Sequence, residues 1–290
     1  MASVAQQLQE VRTALAPVAG PLAGLEARLL AQHALGISHE QLVREPQAPV
    51  AENAAALLQQ LTARRVAREP LAQIVGTKDF WKDTFIVTRD VLTPRADSEV
   101  VIEMALKHGP TMDVACRVLD LGTGSGCLLL SLLREFPRAQ GVAVDLSPEA
   151  LAVARRNAGQ LGLAARVAFH QGHWCNPLDR ADKFAIVVTN PPYIARAEIA
   201  ALDEDVKGYE PHLALDGGTD GLDCYRAIFN SIGQHLEADA IMLLEVGAGQ
   251  HEDVAKLGMD AGLAFVEMGH DLAGIARVVV LKNQRKEESI

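Results

Sequence analysis

Arg117-Val118-Leu119-Asp120-Leu121, then Gly122-Thr123-Gly124-Ser125-Gly126, then Cys127-Leu128-Leu129-Leu130-Ser131-Leu132-Leu133 is the stretch that decides the fold. The first five residues read as a short buried strand and the last seven as a buried helix. Glycines between them allow a tight turn and let the backbone approach a ligand, while the helix start offers unpaired N–H groups. A dinucleotide fingerprint would place glycine at 127, where this chain has Cys127, so the NAD pattern fails. The next strand, Gly141 to Asp145, ends in an acid that suits the two hydroxyls of a ribose.

Further along, Phe184 to Thr189 is another apolar strand, and Asn190-Pro191-Pro192-Tyr193 follows it directly. Each proline fixes its own φ, lacks an N–H and pushes the preceding residue toward extended backbone. Asn190 and Pro191 are thus held with acceptors free for a ligand. The Asn190 side-chain oxygen and a neighbouring carbonyl can each take one hydrogen of an NH2 group, and Tyr193 can stack on its plane. In isolation the tetrapeptide also fits a plain strand-ending turn. The glycine turn, Asp145 and the tetrapeptide together point to a nucleoside-like ligand beside a planar nitrogen.

Strands continue at Ala240–Val246, Ala264–Glu267 and Ala276–Leu281, which with the three above places six of the seven counted between residues 117 and 281. Helices alternate with the early ones, which predicts an α/β fold with a parallel sheet covered on both faces and ligand at the carboxyl ends of the strands. Upstream the pattern changes. Val4, Leu8, Val11 and Leu15 mark one face of an amphipathic helix, broken by Pro17, Gly20 and Pro21. Leu25, Leu29 and Leu30 seed a second helix, Ser38 caps a third, and Ala51 to Arg68 makes a fourth around Leu57, Leu58 and Leu61. Residues 1–75 are therefore expected as a helical bundle. Residues 76–95 are expected as a linker with a β-hairpin turning about Lys82-Asp83, and 96–290 as the catalytic domain.

At 290 residues and 49% hydrophobic the chain can bury a substantial core. Residues 1–90 carry nine Lys and Arg against nine Asp and Glu, so the whole net charge of −10 falls on residues 91–290. That surface is poor for binding nucleic acid, which is driven by phosphate neutralisation. Cys116, Cys127, Cys175 and Cys224 form no Cys-x-x-Cys pair and read as small apolar residues. His170 and His173 alone cannot make a metal site, and no metal is expected. The N-terminus has no basic start, and no uninterrupted apolar run reaches spanning length, so a cytoplasmic location without membrane contact is expected.

From Asp120 to Tyr193 the chain resembles the class I S-adenosylmethionine-dependent methyltransferases, which have a Rossmann-like seven-stranded sheet. The segments Arg68-Glu-Pro-Leu-Ala-Gln-Ile-Val-Gly76, Asp79-Phe-Trp81, Val91-Leu-Thr-Pro-Arg95, Asp97-Ser-Glu99, Tyr209-Glu-Pro211 and Asp220-Gly-Leu-Asp223 narrow it. With them, nearly the whole chain is similar to the protein-(glutamine-N5) methyltransferase family, most of all to its members acting on peptide chain release factors. Ala96 stands where that family usually repeats a proline, and His173 where an acid often precedes Trp174.

The resemblance implies methyl transfer from S-adenosylmethionine to the glutamine amide of the Gly-Gly-Gln motif, leaving S-adenosylhomocysteine, and a last strand running antiparallel. It also implies that the bundle helps hold a release factor, with the enzyme itself a monomer that makes no direct DNA contact. Asn190, Pro191, Pro192 and Tyr193 would carry catalysis and bind the substrate amide. Gly122, Thr123, Gly124, Ser125, Gly126, Asp145, Trp174 and Asn190 would hold the cofactor. Methylation of a ribosomal-protein glutamine and, further off, DNA adenine N6-methylation are the competing reactions. A scaffold that binds cofactor without catalysis is the competing non-enzyme, and the intact tetrapeptide argues against it. Arg95 could meet a substrate carbonyl or a cofactor carboxylate, and Glu245 ends a strand as either a buried helix cap or a surface acid.

Overall fold

The computed structural model describes residues 2–284. They fall into two units: one holds the chain up to Gly76 together with Asp203–Tyr209, the other Thr77–Leu202 and the chain from Glu210 onward. In the first unit, α1 (Val4–Ala19) opens at Ser3, whose hydroxyl accepts from the Gln6 N–H while the Gln6 side chain accepts from the Ser3 N–H. Val4, Val11 and Leu15 are buried as their spacing predicts, and Leu8 packs partly buried beside them. Pro17 does not break the helix. It lies in the last turn, and α1 runs only two residues past it before stopping at Gly20 with φ 52°.

Of the three leucines expected to seed α2 (Ala23–Leu35), only Leu30 is buried; Leu25 and Leu29 are exposed, and Ala27 and Ala31 complete the inner face. Ser38 and Gln41 repeat the reciprocal cap at α3 (His39–Arg44). Leu58 and Leu61 of α4 (Glu52–Val66) are buried while Leu57 is exposed, and a short α5 (Leu71–Val75) follows. Arg65, buried, bonds Glu26 at 2.7 Å and Asp205 at 2.7 Å, and the Tyr209 hydroxyl donates to the Ala67 carbonyl at 2.6 Å. These bonds bring residues 203–209 into the bundle. Val4–Leu35 is long and apolar enough to cross a membrane by length and composition, with a mean hydropathy of 1.2 in its most apolar window. It is α1 and α2 joined by a 3-10 turn at Gly20–Leu22, with Leu15, Ala27, Leu30 and Ala31 in the bundle core.

The second unit begins with β1 (Thr77–Phe80) and β2 (Asp83–Ile86), paired antiparallel so that Trp81 and Lys82 make the turn. Trp81 takes φ 55°, which moves the turn one residue earlier than the expected Lys82-Asp83. Phe80 and Phe85 meet edge to face, with centroids 6.1 Å apart, inside the same core as Leu129 and Phe136. Asn157, fully buried, receives the Ile86 N–H at 2.7 Å and donates to the carbonyls of Ile86 at 3.1 Å and Ser125 at 2.8 Å. The hairpin is thus folded into the second unit and does not stand as a separate linker. Asn157→Ala strips partners from these buried groups and is expected to lower the second unit's stability by about 1–3 kcal/mol in urea unfolding.

In chain order there follow α6 (Glu99–His108), β3 (Arg117–Leu121), α7 (Cys127–Glu135), β4 (Gln140–Asp145), α8 (Pro148–Gln160), β5 (Val167–Gln171) and β6 (Phe184–Thr189). After α9 (Glu204–Lys207), which belongs to the first unit, come α10 (Asp223–Ile232), β7 (Leu236–Glu245), α11 (His251–Asp260), β8 (Leu263–His270) and β9 (Ala276–Asn283). The sheet order is β5-β4-β3-β6-β7-β9-β8, with β9 antiparallel to both neighbours, as expected. Strand β5, a half-exposed edge, completes the count of seven. Along each central strand the side chains alternate between two cores. Val118, Val188 and Leu243 pack with α6 and α7, whereas Leu119, Val187 and Leu244 pack with α10 and α11.

The register fixes where function can sit. Leu121 pairs with Val144 and Thr189, and Thr189 with Leu244. The next residue on each strand, namely Gly122, Asp145, Asn190 and Glu245, therefore lies in one row at the carboxyl edge. The chain leaves β3 toward β4 on one side and β6 enters on the other, which opens a crevice above β3.

Candidate active site

The glycine turn is held by bonds that leave its outer face open. Gly122 and Thr123 donate to the Val144 carbonyl at 2.9 and 3.0 Å, and Gly126 donates to the Thr123 carbonyl at 2.8 Å. Gly122, Gly124 and Gly126 have φ of 75°, 54° and 82°, a region open to glycine at no steric cost. A Cβ on Gly124 would meet nothing within 4 Å, so space for a ligand lies directly above its backbone. At 126 a Cβ would stand 3.3 Å from Ala154 Cβ, so that glycine serves the packing of α7 on α8.

Asp145 braces the turn as well as facing the crevice. Its two oxygens accept from Gly124 N at 2.8 Å and Ser147 N at 2.9 Å. Burial pushes its carboxyl above the usual range, and those N–H groups work against the shift. Each oxygen keeps a lone pair for a ligand hydroxyl. Asp145→Ala removes a charged acceptor and loosens the turn, so cofactor affinity is expected to fall about tenfold or more by calorimetry. Unchanged affinity would remove Asp145 from the site.

The tetrapeptide is anchored at both ends. Thr189 Oγ1 donates to the Leu121 carbonyl at 2.7 Å, fixing the end of β6 against β3. Downstream, Gln250 Nε2 donates to the Tyr193 carbonyl at 2.9 Å, and Ile194 N donates to the Leu215 carbonyl at 3.2 Å. Gly217 and Gly221 pack against the Tyr193 backbone and Gly247 against its ring; a Cβ at 217 would stand 2.8 Å from Tyr193 Cα. Burial, with the charge of Glu245 added, pushes the Tyr193 phenol up to about 12, so it stays neutral. Asn190 Oδ1 is buried and has no hydrogen-bond partner among the described residues. An acceptor left so costs about 1–3 kcal/mol unless a ligand N–H reaches it.

A cavity of about 610 Å³ joins these pieces within the second unit, a size suited to a nucleoside-sized ligand. Gly122, Thr123, Gly124 and Ser125 line it on one side. Asp145, Trp174, Asn190 and Pro192 line it elsewhere, so eight of the expected site residues share one space. Gly126, Pro191 and Tyr193 stand outside the lining. Trp174 holds φ 49°, and its ring lies 3.6 Å from where a Gly122 Cβ would be. His173, edge-on to Trp174 at 5.5 Å, lines the cavity too. Open glycine backbone, the Asp145 lone pairs and an aromatic wall fit S-adenosylmethionine.

Three buried acids stand near the site without lining the cavity. Glu210 is buried and accepts both bonds from Arg95 Nη2, each 2.9 Å, so Arg95 ties together the two cavity-lining loops carrying Thr93-Pro94 and Pro211. Asp120, inside β3, accepts from Thr123 Oγ1 at 2.6 Å. Burial pushes it up to about 7, against the Thr123 bond and with the Asp145 charge adding. Glu245 is buried beside Asn190 at the end of β7. An acid in an otherwise apolar strand was a readable signal for Asp120 and Glu245; Glu210 stood in the Tyr209-Glu-Pro211 segment, which marked a resemblance without a role.

Comparison with known proteins agrees with this geometry. A methyltransferase-domain family model matches residues 112–230, and a PrmC N-terminal domain model matches residues 6–76. The release factor glutamine methyltransferase of Cereibacter sphaeroides is 45% identical over 258 residues, covering 89% of this chain and 90% of its own. That of Caulobacter vibrioides is 41% identical over 256 residues, 88% of each. Among solved structures, a T. Thermophilus 16S rRNA methyltransferase in complex with AdoMet and guanosine gives a TM-score of 0.50 at 17% identity. That match covers 71% of this chain and 49% of the other, and it bears on the fold alone.

Proposed function

Because the chain belongs to the release factor glutamine methyltransferase family, we propose that it methylates the side-chain amide nitrogen of the glutamine in the Gly-Gly-Gln motif of peptide chain release factors, using S-adenosylmethionine and leaving S-adenosylhomocysteine. The observation that carries this reading is the buried, unpartnered Asn190 Oδ1 on the wall of the cavity shared with the glycine turn and Asp145. That atom is an acceptor waiting for an N–H.

An amide nitrogen is a poor nucleophile because its lone pair is delocalised, so orientation at about 3 Å from the methyl carbon gives the largest gain. S-adenosylmethionine, when bound, supplies a methyl already activated on a sulfonium. Gly122 to Ser125 and Asp145 would hold that group, with Trp174 as the wall for its adenine. Asn190 Oδ1 and the Pro191 carbonyl accept the two amide hydrogens, which aims the nitrogen and stabilises positive charge growing on it; as the N–C bond forms and the S–C bond breaks, one of those hydrogens leaves as a proton to water. Tyr193 packs on the amide plane, and the prolines keep the turn stiff. The helical unit grips the release factor. Such an enzyme works as a monomer in the cytoplasm.

Mass spectrometry of a release factor incubated with enzyme and labelled cofactor tests the reaction. One methyl on the Gly-Gly-Gln glutamine is expected. Methylation only of a ribosomal protein, or only of DNA adenine, would overturn the assignment.

A further inference from the structure

Asn190 and Glu245 are cross-strand neighbours by register, since Thr189 pairs with Leu244 one residue earlier on β6 and β7. Both point to the same face of the sheet. Val188 and Leu243, two residues before them, pack in the core formed with α6 and α7. Glu245 is 3% exposed, too buried for a residue serving solubility, and its Oε2 has no partner among the described residues. Asn190 Oδ1 is in the same position. Two buried oxygens without a partner among the described residues thus end neighbouring strands, with the Asn190 NH2 as the donor that must choose where to point.

We propose that Glu245 is a positioning residue for the methyl transfer, its ionised carboxylate taking a hydrogen from the Asn190 NH2 so that Oδ1 stays free for the target amide. This rests on the proposed reaction and adds to it a device for setting the Asn190 side chain. A protonated Glu245 has a hydrogen to give to Asn190 Oδ1, which would occupy the acceptor the substrate needs. Ionised Glu245 is therefore the working form, and its negative charge also faces the nitrogen where positive charge grows.

Every neighbouring element contributes to its titration. Burial raises the Glu245 acid most, Ser98 before α6 and Arg277 on β9 favour the charged form, Asp97 opposes it and Asn190 favours it, for a result of about 7. Tyr193 and Cys127 at the start of α7 face the same charge, and both are held neutral, chiefly by burial. Tyr225 on α10 donates to the Glu245 backbone carbonyl at 2.7 Å and holds the strand end. The sign follows: turnover rises with pH as Glu245 loses its proton near 7.

Glu245→Gln and Glu245→Asp test the proposal in the full-length enzyme. The Gln variant keeps the shape but can present its own NH2 to Asn190 Oδ1, so kcat is expected to fall about tenfold, as for one charge-assisted bond. Cofactor affinity and melting temperature are expected to stay close to wild type. Wild-type kcat should climb between about pH 6 and 8, the Gln variant should lose that climb, and the Asp variant should keep part of it. The proposal is overturned by a Gln variant with wild-type kcat and the same pH profile. It is equally overturned if kcat, cofactor affinity and melting temperature fall together in both variants, which would make Glu245 a packing residue. The wild-type rate on a release factor tests the reaction, while the ratio of variant to wild type tests Glu245.

Discussion

Asn190→Ala is expected to lower turnover at least about a hundredfold, the scale of one lost transition-state hydrogen bond in a site shielded from water. The substitution removes Oδ1, the acceptor without a partner among the described residues, and enlarges the space in which the amide sits. Cofactor affinity should change less, because Gly122, Gly124 and Asp145 are held by bonds that do not pass through Asn190. Asn190→Asp separates orientation from charge. It keeps the shape and the acceptors, so measurable turnover should survive, but it sets a second carboxylate beside Glu245. Like charges that close favour one shared proton, so the Asp variant should work best at higher pH than the parent. Single-turnover assays at saturating cofactor decide between the roles: an Ala variant within a few-fold of the parent would leave Asn190 as no more than the residue that ends β6.

The row Gly122, Asp145, Asn190 was legible because each residue interrupts an apolar run with something a strand does not need: a glycine turn, an acid, an amide before two prolines. Local chemistry of that kind survives in one dimension. Glu245 was visible as the acid ending a strand, but its burial beside Asn190 depends on β7 pairing with β6, which no residue near 245 announces. Arg95 met a partner 115 residues away, where Tyr209-Glu-Pro211 marked a resemblance but no role. The grouping of residues 203–209 with the helical unit has the same origin. It hangs on Arg65 reaching Asp205 and Tyr209 reaching the Ala67 carbonyl, contacts without a period or a spacing. Pro17 shows the opposite failure, a strong local signal that α1 outruns by two residues, to Ala19.

The segment Asp220-Gly221-Leu222-Asp223 marked a resemblance without a role, and the structure supplies one. Gly221 has φ 78°, and its backbone lies directly under the Tyr193 carbonyl; a Cβ there would collide with that oxygen and stand 2.6 Å from Gln250 Nε2. The collision falls on the hydrogen bond by which Gln250 holds Tyr193 in place. Gly221→Ala should therefore push the tetrapeptide away from the cavity, and a shift of about 1 Å in a positioned group is enough for a hundredfold loss of turnover. The positive φ adds about 1–2 kcal/mol of strain, which should appear as a melting temperature lower by several degrees. Gly274→Ala isolates that second effect, because Gly274 has φ 79° with nothing within 4 Å of a Cβ. Its variant should lose comparable stability and keep its turnover. Cofactor affinity measured by calorimetry should be near normal in both, since the glycine turn at 122–126 is braced separately. If Gly221→Ala were as active as Gly274→Ala, the packing of Gly221 beneath Tyr193 would have no part in catalysis.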